Sequence, residues 1–497
     1  MRVVDIVVLA AYAAFMMGIG AYYSRKNQTA EDYLLGGRTI SPLTLGLSLF
    51  ATLVSTLSYL GHPGEMIANG PMVLCQIAAF PGIYLIVGYG LIPLLMKQPV
   101  TSAYELLEQR LGRSIRLAGA TVFLLLRLGW MATILFATSS VVIVPLLGLS
   151  TGWIPLICVI LGTATAVYSS SGGLRAVVLT DSIQSLTMLA GAVLTLIVIT
   201  LRMGSVAAWW PDAWPAHWPE PNWGFDPSAR ISFGMLMLSA TLWYVCTNGS
   251  DQMSIQRFLS TRNPAHARRT LMVSQMTDGA VSVLLGLTGL AVLGYYSSFP
   301  PAVVGDQPVH TLGDKLFPMF IMSQMPPGLS GLVLAAILSA ALSSLSSGIN
   351  SACAVIDRDF LSTRKQTADT AVNSDARALT RLKRLSWLIA MTAITLSLLN
   401  LLFEGNLIER CYKVVNLLTA PLFVLFFLAL FVPWATPLGA WAGLLSSVTV
   451  AVSIAYAREL HLPVTASLVW IVPSALITGI LVGIVFSPLG KRRSSSD

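Results

Sequence analysis

Long apolar runs separated by short polar joints dominate the chain. At roughly twenty residues per crossing, they predict about thirteen membrane-spanning helices. These lie near 3–22, 41–68, 72–96, 114–146, 151–169, 176–201, 231–259, 268–298, 328–360, 380–402, 407–432, 437–456 and 467–487. The expected fold class is an all-α polytopic membrane protein.

Two of these runs are not apolar throughout. The second carries Gly46, Ser48, Thr52, Ser55, Thr56, Ser58, Gly61, His62, Pro63 and Gly64, and the seventh carries Thr247, Asn248, Gly249, Ser250, Asp251 and Gln252. Unwound backbone at membrane depth is tolerated only around a cavity. The two runs are five spans apart, so the chain divides into two units of five spans, approximately 41–202 and 231–432. An odd number of spans per unit gives inverted topology. Interrupted helices in corresponding positions then point to a solute site near the midplane. Both units belong to one transmembrane domain, 1–490, and the Ser-rich residues 491–497 form a disordered cytoplasmic tail.

Inside the ninth run, Ser343, Ser346 and Ser347 fall at i, i+3 and i+4 and share one helical face, with Ser344 beside them. Hydroxyl oxygens this dense are ligands for a hard cation if a partner helix adds carbonyls or a carboxylate. Small residues also let helices approach closely. The serines alone leave both uses open.

Composition agrees with the pattern. The chain of 497 residues is 55% hydrophobic and 10% charged, where soluble proteins carry roughly 25%. Arginines and lysines follow the first, third, fifth, seventh, ninth and last runs; Arg38, Arg116, Arg175, Arg257, Arg381 and Lys491 are examples. These alternate loops are cytoplasmic by the positive-inside rule, which places the N-terminus outside and the C-terminus inside. No cleavable signal precedes the first run. Cys75, Cys158, Cys246, Cys353 and Cys411 are scattered singly, with no zinc-ligand or disulfide spacing. No Walker A, GxSxG or HExxH motif is present, which excludes those ATP-driven and hydrolytic classes. Residues 203–230 hold five tryptophans and several prolines, read as an interfacial aromatic cap, and 299–327 lie across the outer mouth.

Four segments are recognisable: Thr101 to Arg110, Gly172 to Gln184, Asp251 to Arg257, and the serine run. Together they resemble the sodium:solute symporter family, over about residues 5–490. The resemblance implies a leucine-transporter-type fold of five-plus-five inverted repeats. It implies a main sodium site built from carbonyls of Ala51, Val54 and Ala340 with hydroxyls of Ser343 and Ser344. A second sodium site, found in some members, matches Asp181, Ser343, Ser346 and Ser347. The alternative for Asp181 is an N-cap-like residue following Thr180. One or two sodium ions and a small solute are thus the expected ligands, with the bilayer as surroundings. Neither nucleic acid nor an obligatory protein partner is indicated, and no enzymatic activity.

By matched position, Gln76 is the foremost solute contact, with Ser55, Ser58, Tyr244 and Thr247. Packing or gating is the alternative for Tyr244. Trp130 stands where sialic acid carriers have a carboxylate-binding arginine, which argues against sialic acid. Lys413 stands where galactose carriers have a sugar-contacting glutamine, which weakens a hexose. Arg127 and Lys413 are read as the basic residues deepest in spans, without a carboxylate one helical turn away. Buried cations want anions, so either base contacts a solute anion or pairs with a carboxylate such as Asp251 or Asp278. The segment Leu60 to Gly70 looks most like the iodide, biotin and monocarboxylate branch, with His62 at a turn or outer gate.

The expected protein is therefore a sodium-coupled importer of a small solute, an organic anion such as a monocarboxylate. The alternatives are uptake of a neutral sugar, amino acid or polyol, and a non-transporting sensor. The seven residues after Gly490 are too few for a kinase or receiver domain. No filter repeat suggests a channel. The expected location is the plasma membrane, the inner membrane of a bacterium.

Overall fold

The computed structural model describes residues 2–25, 29–97, 100–300, 308–361, 371–402, 407–463 and 466–490. The elements that matter below are α1 (Val3–Ser24), α2 (Pro42–Leu53), α3 (Thr56–Asn69), α4 (Arg113–Ala137), α5 (Ile154–Met203), α6 (Phe233–Ser250), α7 (Gln252–Leu259), α8 (Pro264–Ser298), α9 (Leu329–Val355) and α10 (Leu407–Leu417).

Among the described residues, ten helices are long and apolar enough to cross a membrane, or eleven if one sharply bent pair counts as a span. About thirteen were expected, and three local features separate the numbers. The runs 151–169 and 176–201 form the single element α5, which turns at Gly173. Gly173 has φ +58°, and a Cβ there would meet the Tyr33 carbonyl oxygen at 2.8 Å. Only glycine satisfies both conditions without strain. The other two features are the broken runs, whose halves α2 with α3 and α6 with α7 are each short or polar.

Both breaks are made by capping side chains, not by the nearby glycines. Val54 and Ser55 are extended, and Ser55 Oγ accepts from Ser58 N at 3.2 Å to restart the helix. Asp251 is extended, and its Oδ1 accepts from Met253 N at 2.8 Å. Each side chain satisfies an N–H that the helix start would otherwise orphan. Gly61, Gly64 and His62 lie inside α3, so the expected turn at His62 is a helix interior.

Buried α9 forms the centre of the bundle and packs on α1, α2, α4 and α5. α8 lies against α2 and α3. Gly289 allows this approach, because a Cβ there would meet the Pro63 carbonyl oxygen at 2.4 Å.

Two of the recognisable segments, Thr101 to Arg110 and Asp251 to Arg257, meet at one end of the bundle. Gln252 accepts from Ala103 N at 2.8 Å and donates to the Thr101 carbonyl at 3.0 Å. Gln256 donates to the Leu34 carbonyl at 2.6 Å, and Arg175 to the Gly36 carbonyl at 2.9 Å. Arg116 closes the same end by pairing with Asp359 at 2.6 Å. At the other end, Trp218 is buried and donates to the Ile67 carbonyl at the end of α3. Trp210, Trp214 and Trp223 are exposed. Part of the second expected outer loop, 301–307, and the expected tail, 491–497, lie outside the described residues.

Candidate functional site

Helix interruption frees carbonyls that an unbroken helix would bond internally. At the first break, two hydroxyls of α9 take them up. Ser343 Oγ lies 2.7 Å from the Ala51 carbonyl oxygen and 3.3 Å from that of Ala340. Ser344 Oγ lies 3.2 Å from the Val54 carbonyl oxygen and 3.1 Å from that of Thr52. Ala51, Val54, Ala340, Ser343 and Ser344 thus meet in two contacts made by consecutive serines between α2 and α9. All five offer neutral oxygens, the donor set of a hard cation.

One turn along α9, a second polar cluster surrounds Asp181. Its carboxylate accepts from Ser48 at 2.7 Å, Ser347 at 2.8 Å and Ser346 at 3.3 Å, with Thr52 at 3.4 Å. Ser343 turns its hydroxyl to the first cluster instead. Asp181 lies in mid-helix, and Thr180 donates back to the Ala176 carbonyl at 3.0 Å. The N-cap alternative therefore does not apply.

Arg257 completes this cluster. By its place at the end of the seventh run it counts as a cytoplasmic loop charge. Its side chain is instead fully buried, with Nη2 2.9 Å from Asp181 Oδ2. Nε donates to Ser48 at 2.9 Å, Nη1 to the Met253 carbonyl at 2.7 Å, and Nη2 also to Ser347. A buried carboxylate needs such a partner.

A third cluster lies beyond the first break. Ser55 and Ser58 hydroxyls are 3.2 Å apart. His62 Nδ1 donates to the Ser58 carbonyl at 2.6 Å, and Gln76 Nε2 approaches His62 Nε2 at 3.4 Å. Phe80 stacks edge-on against Tyr244, with ring centres 5.5 Å apart, and Tyr244 donates to Asp278. Ser55, Ser58, Gln76 and Tyr244 therefore line one region between α3, α6 and α8. Thr247 is buried one turn before the second break. His62 and Asp278 belong to the region without having been chosen as solute contacts; a carboxylate in mid-span was the available signal for Asp278.

Arg127 and Lys413 have protein partners. Arg127 forms a buried ion pair with Asp251. Lys413 bonds Glu459 at 2.9 Å and Glu409 at 3.0 Å, and lies 4.9 Å from the Tyr456 ring centre. Glu409 is one turn before Lys413, so a carboxylate does lie within helical reach of this base. The Lys413 ammonium holds the exposed Glu459 carboxyl below its ordinary range. Neither base stands as an unpaired cation awaiting solute.

The sequence profile of the sodium:solute symporter family matches residues 33–446. Sodium-coupled monocarboxylate transporter 1 of Mus musculus is 28% identical over 478 residues, 92% of this chain and 74% of that protein. The sodium/sialic acid symporter SiaT of Proteus mirabilis is 26% identical over 506 residues, 99% of this chain and 97% of that protein. A solved structure described as the substrate-bound outward-open state of a Na+-coupled sialic acid symporter superposes with a TM-score of 0.84 at 23% identity, covering 99% of each chain. That degree of likeness speaks to the fold.

Proposed function

The chain belongs to the sodium:solute symporter family, and on that premise we propose that Ala51, Val54, Ala340, Ser343 and Ser344 hold the sodium ion that drives import of a small organic acid. The protein is a sodium-coupled symporter, not an enzyme. The convergence of the two serine hydroxyls on carbonyls freed at the Val54–Ser55 break carries this assignment. Sodium bridging α2 and α9 there stabilises only the arrangement in which both helices supply ligands. Binding therefore biases one arrangement of the two repeats over the other.

The solute lies among Ser55, Ser58, Gln76, Tyr244 and Thr247. Val54 supplies a sodium ligand and adjoins Ser55, so the ion itself offers the counter-charge for a carboxylate. This replaces Arg127 and Lys413 in that role. Trp130 sets sialic acid aside, and a monocarboxylate fits the remaining neutral donors. Counting the two broken runs and both arms of α5 as spans gives thirteen, in a five-plus-five inverted repeat of 41–202 and 231–432. The end carrying Arg116 and Arg175 then faces the cytoplasm and the N-terminus lies outside, in a bacterial inner membrane.

A thermal-shift screen of purified protein against small acids, sugars and amino acids tests the reading. Acids should raise Tm in sodium and not in potassium. A neutral sugar as the sole sodium-dependent hit would refute it.

A further inference from the structure

Four hydroxyls and one carboxylate form an oxygen shell around Asp181, yet a side chain fills it. Ser48 and Thr52 come from α2, Ser346 and Ser347 from α9, and Asp181 from α5. Arg257 enters from α7 and is fully buried, as is Asp181. The shell has one negative charge and one positive charge. A further cation beside Arg257 would leave a net positive charge away from water, at a cost its hydroxyl ligands do not offset. Guanidinium and metal cation are therefore exclusive occupants.

The elements allow an exchange. α7 is a separate half-helix of eight residues, joined to α6 by the single extended residue Asp251. Withdrawal of α7 about that joint would release Gln252 from Ala103 and Thr101 and Gln256 from Leu34 together with Arg257 from Asp181, and would leave Asp181 with its hydroxyls. Thr52 links this shell to the first cluster, because its hydroxyl donates to Ser347 at 3.0 Å while its carbonyl accepts from Ser344 at 3.1 Å.

We propose that Arg257 is a tethered cation that competes with sodium for the Asp181 shell. The guanidinium holds the shell in the arrangement described here, and sodium takes it only when α7 withdraws. Arg257 is thus a positioning residue for ion coupling: it sets when, and whether, a second sodium ion is carried. The proposal rests on the sodium-symport reading and goes beyond it, since that reading places its sodium ion at Ser343 and Ser344 and not at Asp181.

The test is sodium-dependent thermal stability of the purified full chain, in sodium or choline chloride at constant ionic strength. Wild type should respond as a single site through Ser343 and Ser344. Arg257→Gln should be less stable in choline and gain a second sodium response, so that its Hill coefficient rises from one toward two. Asp181→Asn with Arg257→Gln should lose that second response and regain stability in choline. Failure of Arg257→Gln to fold at any sodium concentration would overturn the proposal, since sodium could not then replace the guanidinium. So would a folded Arg257→Gln with the single-site response of wild type. Arg257→Lys keeps the charge without the forked contacts, and its second response should appear at higher sodium than in Arg257→Gln; an unchanged single response in both variants overturns the idea. Loss of the wild-type sodium response itself would instead indict the main site.

Discussion

Ser343 Oγ lies 2.7 Å from the carbonyl oxygen of Ala51, 292 positions earlier in the chain. The contact joins the ninth run to the break in the second. The hydroxyl proton holds two oxygens at one point, where a cation can take over as the shared positive charge. The cradle is preorganised, so little ordering cost falls on ion binding.

Uptake should therefore require sodium and fail with potassium or a proton gradient alone. Ser343→Ala with Ser344→Ala removes both hydroxyl ligands and keeps the helix. Hydrogen-bond-strength contacts to a charged group are worth roughly 1.5–3 kcal/mol each. The sodium concentration for half-maximal uptake should rise by at least about tenfold. Unchanged sodium dependence in the folded double variant would remove this cradle from the mechanism.

The buried pair of Arg127 and Asp251 makes a different claim, about stability. Breaking such a pair strands a charge, at about 3–5 kcal/mol. Arg127→Gln alone and Asp251→Asn alone should each lower Tm strongly. The two together should recover most of the loss, and a double-mutant cycle measures the coupling. Asp251 also caps α7 through Met253 N, and asparagine keeps that bond. Additive losses would show that the two charges do not depend on each other.

The broken spans were legible in the sequence because polarity in an apolar run has few explanations, whereas the pairing of Ser343 and Ser344 with Ala51 and Val54 was available only through the family resemblance. Ser55 and Asp251 as the break points were not, since glycine and capping residues crowd both stretches. Arg257 escaped for a physical reason. It ends an apolar span, where positive-inside counting assigns a base to the loop. Only the fold brings α7 onto Asp181, 76 positions away. Glu409 was readable from its one-turn spacing to Lys413, whereas Glu459 comes from a distant segment.

Lys413 gives a contrasting expectation. Its partners Glu409 and Glu459 are 41% and 56% exposed, so solvent screens the pairs. Lys413→Gln should shift Tm slightly, and by less as salt rises. Solute affinity should stay within about threefold of wild type, the scale of a weak indirect effect. A large loss of solute binding with intact stability would return Lys413 to the solute site.

Asp278 lies beside the proposed solute contacts, so its substitution tests the charge of the solute. Its carboxylate takes the Tyr244 hydroxyl, and the Ser282 hydroxyl lies 3.4 Å away. A solute carboxylate among Ser55, Ser58 and Gln76 would feel this negative charge as repulsion. A solute amine or polyol would use it as an acceptor. Asp278→Asn keeps the shape and removes the charge. For an organic acid, binding in saturating sodium should tighten or stay unchanged. For an amine or a polyol it should weaken by roughly tenfold or more, the worth of a lost charge-assisted hydrogen bond. Gln76→Ala provides the reference, because it removes a neutral donor and should weaken either kind of solute by about two- to tenfold. Tighter or equal acid binding in Asp278→Asn together with weaker binding in Gln76→Ala supports the acid. Weakening in both variants assigns the solute to the amines or polyols.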